Sequence, residues 1–114
     1  MSRSERVAEL IKAEVSDILT REVSDPRIGF ITITDVTITD DLKHAKIFVS
    51  VYGDESKKDA TMKGLESATL FIKGELGNRL ELRAVPEIVF NIDRAPERAA
   101  RLDQIIKGIK EQSK

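Results

Sequence analysis

The sequence predicts a single α+β domain, a three-stranded sheet with helices on one face. Three observations lead there. Apolar residues recur at three- and four-residue spacing near both ends of the chain and in its middle. Three shorter stretches alternate β-branched and polar residues. The connections are short, and 114 residues suffice for one core and not for two. The predicted order is helix, strand, strand, helix–kink–helix, strand, helix, over a single domain spanning 1–114, with residues 111–114 expected to fray.

Residues 3–20 read as an amphipathic helix with Val7, Leu10, Ile11, Val15, Ile18 and Leu19 on its apolar stripe, capped by Ser2 or Ser4. Asp25 before Pro26 ends it, because a residue preceding proline disfavours the helical basin. Residues 30–39 (FITITDVTIT) form a strand whose apolar phase shifts between Ile33 and Val36, so a bulge is expected near Thr34–Asp35. Asp40 to Lys43 make a turn, and residues 45–52 alternate again, so the two strands should pair as an antiparallel hairpin. A helical stretch follows over 57–78, with Ser56 and Asp59 resembling a cap, Met62, Leu65, Thr69, Ile72 and Leu76 as its stripe, and Gly77–Asn78 as its end. Gly64, Thr69 and Gly74 are weak helix formers, so a kink or break is expected inside it. Residues 87–92 (EIVFNI) give the third strand. Asp93 opens a last helix with Pro96 in its first turn and Ala99, Leu102, Ile105, Ile106 and Ile109 as its core stripe.

Composition excludes several classes of function. There is no cysteine, which removes disulfides and thiolate zinc sites, and His44 is the sole histidine. Apolar runs of three or four residues cannot span a bilayer, and the charged N-terminus lacks a signal core, so a cytoplasmic protein is expected. Asp40–Asp41 and Asp54–Glu55 fall in polar turns, where solvated carboxylates rather than a catalytic pair are expected, and nothing supports an enzyme or a cofactor. Gly74-Glu75-Leu76-Gly77 matches the G-x-x-G phosphate clamp, but it ends a predicted helix and carries an acid, so capping is the preferred reading. The net charge is −1, from 19 basic and 20 acidic residues, which leaves room only for a local basic face. Its candidates are Lys43 and Lys46 at the hairpin, Lys73 and Arg79 on the central helix, Arg83 before the third strand, and Arg94, Arg98 and Arg101 along the last helix.

These residues also resemble a known family. The first helix RVAELIKAEVSDILTRE, the Asp25-Pro26-Arg27-Ile28-Gly29 motif, Thr32-Ile33-Thr34 with Val36, Asp41-Leu42 with Ala45-Lys46, and LRAVPEIVFNID over 82–93 are together similar to ribosome-binding factor A. The resemblance covers essentially the whole chain. It implies a type II KH-like fold, in which a helix–kink–helix with an Ala-x-Gly motif replaces the phosphate loop. That motif maps to Ala68-Thr69-Leu70, where Leu70 stands in place of the glycine. Asp40 and Glu81 stand where basic residues are frequent in the family, which shifts the expected RNA footprint. The resemblance further implies a non-catalytic monomer that binds the immature small (30S) ribosomal subunit and its 16S rRNA late in maturation, including 5′-end processing. GTPases and other assembly factors act nearby, and the factor matters most in the cold. Lys46, Lys73, Arg79 and Arg83 are the expected RNA contacts. The alternative is a protein-interaction module of the same fold with no direct RNA contact.

Overall fold

The structure, a computed structural model, describes residues 1–82, 84–95, 102 and 104–107. Helix α1 spans Arg3–Arg21, strand β1 Ile31–Ile38, strand β2 His44–Val51, helix α2 Glu55–Arg79 and strand β3 Glu87–Ile92. The sheet order is β1-β2-β3. β1 and β2 form the expected antiparallel hairpin, with its register shift between Ile33 and Asp35, so that Ile31, Ile33, Val36 and Ile38 all turn to the same side. α2 then carries the chain across to β3, which lies parallel to β2.

One core fills the space between sheet and helices. Ala45, Ile47, Val49 and Val51 from β2 meet Ile33 and Val36 from β1, Ile88 and Phe90 from β3, Ile11, Val15 and Ile18 from α1, and Leu65, Ile72 and Leu76 from α2. Eight of these aliphatic side chains are completely sealed from solvent, and each such burial contributes about 1.5–3 kcal/mol. Leu10, placed on the α1 stripe by its spacing, is instead half exposed, because the stripe that touches the sheet is narrower than the sequence pattern.

Three sequence expectations are corrected. α2 starts earlier than expected: Asp54, not Ser56, is the cap, its carboxylate accepting from the Lys57 N–H at 2.9 Å. α2 also runs unbroken to Arg79, so Gly77 lies inside the helix rather than capping it, in a place where a Cβ would come within 3.0 Å of Val85. Leu102, Ile105 and Ile106 are exposed rather than core residues. Three strands about 4.8 Å apart are roughly covered by two helices about 10 Å wide, and α1 and α2 already occupy that face. Ala99 and Ile109, the other members of that stripe, lie outside the described residues, as do Arg98, Arg101 and residues 111–114.

The Asp25–Gly29 motif proves to be a docking turn. The Asp25 carboxylate accepts from the Arg27 backbone N–H at 2.9 Å and from its guanidinium at 2.7 Å. The Thr61 hydroxyl of α2, fully buried, donates to the Arg27 carbonyl and accepts from the Gly29 N–H, both at 3.3 Å. Ile28 packs on Gly64, where α2 has no side chain to hold it off. This clamp sets where β1 begins relative to α2.

Candidate nucleic-acid interface

Arg79 sits near the C-terminal end of α2, facing the last two turns of α1. Its Nη1 donates to Glu14 at 2.9 Å and to Asp17 at 2.8 Å, and its Nη2 donates to Glu22 at 2.8 Å. Glu75, one turn earlier, lies 4.0 Å from its Nε. The Glu14 and Asp17 hydrogen bonds, with that of Glu22, hold the guanidinium above its ordinary pKa. In return Arg79 holds the Asp17 carboxyl below the usual range, while the hydrogen bond with Glu22 raises Glu75. Charge-assisted bonds of this geometry are strong, so Arg79 is committed to joining α1 to α2. A phosphate would have to displace carboxylates to reach it.

Lys73 lies less than two turns before Arg79 and forms an ion pair with Glu87 at the first position of β3. The lysine depresses the Glu87 pKa, but the glutamate is two-thirds exposed. Exposed pairs contribute little net stability, so an incoming phosphate competes for Lys73 at small cost. Lys46 is exposed near the middle of β2, opposite Thr37 on one side and Val89 on the other, with no ion pair among the described residues. Because Val89 follows Glu87 by two residues, Lys46 and Lys73 are served by the same half of β3, about 7 Å apart along the strand. Arg83 lies outside the described residues.

The topology adds neighbours that no local pattern could reveal. The start of α1 brings Arg3 to the β1–β2 turn, where it lines a shallow hollow with Lys43, His44, Asp40, Asp41 and Glu87. Asp41 is a turn-builder, accepting from the Thr39 hydroxyl at 2.6 Å and the Lys43 N–H at 3.0 Å, and the Thr39 bond lowers its pKa. It is the ionised, solvated acid its sequence context predicts. Arg94 is also occupied, making two hydrogen bonds to Glu55 at 2.8 and 3.1 Å.

At Ala68-Thr69-Leu70 the helix continues without interruption. Ala68 is half-buried against the core and Leu70 points into solvent, while the Thr69 hydroxyl bonds back to the Leu65 carbonyl at 2.9 Å. Such back-bonding is a device that bends helices without breaking them. The G-x-x-G at 74–77 is helical throughout and offers no loop for a phosphate. Among the described residues no cluster of acids and histidine is arranged to hold a metal, and no helix is long and apolar enough to cross a membrane.

Comparison with known proteins gives concordant results. The family model described as ribosome-binding factor A matches residues 3–106. The ribosome-binding factor A of Halothermothrix orenii is 51% identical over 110 residues, covering 96% of this chain and 90% of that one. Among solved structures, a Thermotoga maritima protein described as a ribosome-binding factor A is 26% identical, with a TM-score of 0.73 over 82% of this chain and 89% of that one. A Thermus thermophilus ribosome-binding factor A, fitted into a cryo-EM map of its 30S complex, shares the fold at 21% identity and a TM-score of 0.65, covering 76% and 91%.

Proposed function

Since the chain belongs to the ribosome-binding factor A family, we propose that it binds the immature small ribosomal subunit and holds its 16S rRNA in one conformation until late maturation, including 5′-end processing, is complete. The observation that carries this reading is the family match over residues 3–106, supported by the 30S complex of the Thermus thermophilus relative. The protein acts as a monomer in the cytoplasm, without catalysis, beside GTPases and other assembly factors. Its role is greatest in the cold, when mispaired RNA escapes slowly.

The RNA contacts divide by what each side chain is free to do. Lys46 and Lys73 reach phosphates from the two sides of β3. Arg83 belongs to the same footprint. Arg79 contributes by fixing α1 on α2, a placement on which the other contacts depend. With few phosphate contacts on a near-neutral chain, recognition relies on the shape of a folded RNA. Deleting the gene in its own host should cause precursor 16S rRNA with an extended 5′ end to accumulate, more so at low temperature. Restoration by the wild-type gene, with normal processing before deletion, is the expected result. Unchanged precursor levels at every temperature would refute the processing role.

A further inference from the structure

Among the described residues, α1 and α2 pack on one face of the sheet and none of their buried side chains lies on the other. On β2 that other face carries His44, Lys46, Phe48, Ser50 and Tyr52, the alternates of the buried Ala45, Ile47, Val49 and Val51. Tyr52 is 82% exposed and Phe30 86% exposed. The Tyr52 N–H donates to the Phe30 carbonyl at 3.1 Å, extending the ladder one residue past the Ile31–Val51 pair. Residues so opposed have Cβ atoms on the order of 5 Å apart, so the two exposed side chains leave the end of the hairpin from neighbouring positions. The chain has only five Phe and Tyr residues, and three of them lie on or beside this face. Folding had every opportunity to bury these rings.

We propose that this face holds an unpaired RNA strand, with bases stacked on Phe30 and Tyr52 and the backbone passing toward Lys46. The proposal rests on the small-subunit reading and adds where a single strand lies. Aromatic rings accept any base, because every base has a π face. The surroundings fit a nucleotide better than an apolar protein surface. Thr32 and Ser50, opposite one another in the ladder, are the polar neighbours of the rings along the two strands. Two lysines, neither in an ion pair among the described residues, bracket the row. Lys46 stands six residues along β2, about 20 Å away. Lys57 runs its stem against Gly53, next to Tyr52, where a Cβ would come within 2.6 Å of it. Two carboxylates on the middle of the face are already engaged: Asp35 accepts from the Val36 N–H, and Asp93 from the Thr34 hydroxyl and the Ala95 N–H. They turn phosphates outward and leave bases toward the sheet.

The test uses octauridylate and an RNA duplex of equal length at low salt. Tyr52 is the only tyrosine and there is no tryptophan, so its ring resonances are assigned on sight and report this site alone. The single strand should shift them upfield, as ring stacking does, and the duplex should leave them unmoved. Phe30→Leu and Tyr52→Leu keep an apolar side chain but remove the π face, and both rings are too exposed for the melting temperature to change. Each should weaken octauridylate binding roughly five- to a hundred-fold. Small-subunit sedimentation is measured in parallel. If the wild type sediments with subunits but octauridylate leaves Tyr52 unmoved, the stacking site is overturned and the functional reading stands. If the leucine variants lose subunits yet bind octauridylate as before, the face docks a ribosomal protein instead, and the proposal also falls. Wild-type protein that sediments with no subunits overturns the functional reading itself.

Discussion

Replacing Gly64 with alanine should weaken the fold, although alanine is the better helix former, and the same change at Gly74 should strengthen it. Both glycines lie inside α2, where glycine costs about 1 kcal/mol relative to alanine. At Gly74 a Cβ meets nothing within 4 Å, so Gly74→Ala should gain about 0.5–1 kcal/mol. At Gly64 the Cβ would stand 2.7 Å from Ile28 Cγ1 and 3.4 Å from Arg27 Cβ. Cγ1 is not the free end of a side chain, and the turn that carries it is pinned by Thr61. Overpacking of this kind costs about 1–3 kcal/mol, which exceeds the helical gain and leaves a net loss of about 1 kcal/mol. Urea unfolding followed by circular dichroism reads both signs. With a slope of about 1.5 kcal/mol/M, Gly64→Ala should lower the midpoint by roughly 0.7 M while Gly74→Ala raises it by about 0.3–0.7 M. Adding Ile28→Ala to Gly64→Ala should return about 1 kcal/mol of coupling. A Gly64→Ala midpoint at or above the wild type would refute the packing of the Asp25–Gly29 turn on α2.

Other expectations follow from single contacts. Asp54→Ala should cost about 1 kcal/mol in thermal or urea unfolding and Ser56→Ala close to nothing, since only Asp54 accepts from the start of α2. Arg79→Met should destabilise at pH 7, and by progressively less as pH falls below about 3.8. The Asp17 pKa is depressed in the folded state, so its share of stability is present above its unfolded value near 3.8 and is lost as pH falls through the lower folded value. Urea midpoints for both proteins across pH 3–7 check it, and a constant difference would contradict the carboxylate clasp. Lys46→Glu should leave the melting temperature unchanged, weaken small-subunit binding, and flatten its log–log salt dependence by about one phosphate contact.

The elements were largely legible in the sequence because each carries its own periodicity. The β1 bulge is the clearest case: Ile33 and Val36 have opposite parity, and only an extra residue turns both inward. What local pattern could not supply were partners distant in the chain. Arg79 looked like one more basic residue on a helix, yet Glu14, Asp17 and Glu22 lie more than fifty residues before it, and only the packing of α1 on α2 assembles them. Thr61 looked like a neutral helix residue until the turn at Arg27–Gly29 was seen to close on its hydroxyl. Gly77 read as a helix end for the same reason in reverse, since its neighbour Val85 comes from the next loop. Phe30 read as the first residue of its strand, Tyr52 and Phe48 read as the aromatic candidates on the less buried strand face, and only the structure shows how far Phe30 and Tyr52 are exposed.

The central claim is that this chain binds immature small subunits through basic side chains beside β3. Its most direct test is co-sedimentation with mature and precursor small subunits across a salt series, comparing the wild type with Lys46→Glu plus Lys73→Glu. The account predicts wild-type binding to the precursor that falls steeply with salt, and its loss in the double variant despite an unchanged melting temperature. Binding that ignores salt and survives both substitutions would contradict it, and would favour a protein-docking role for the same fold.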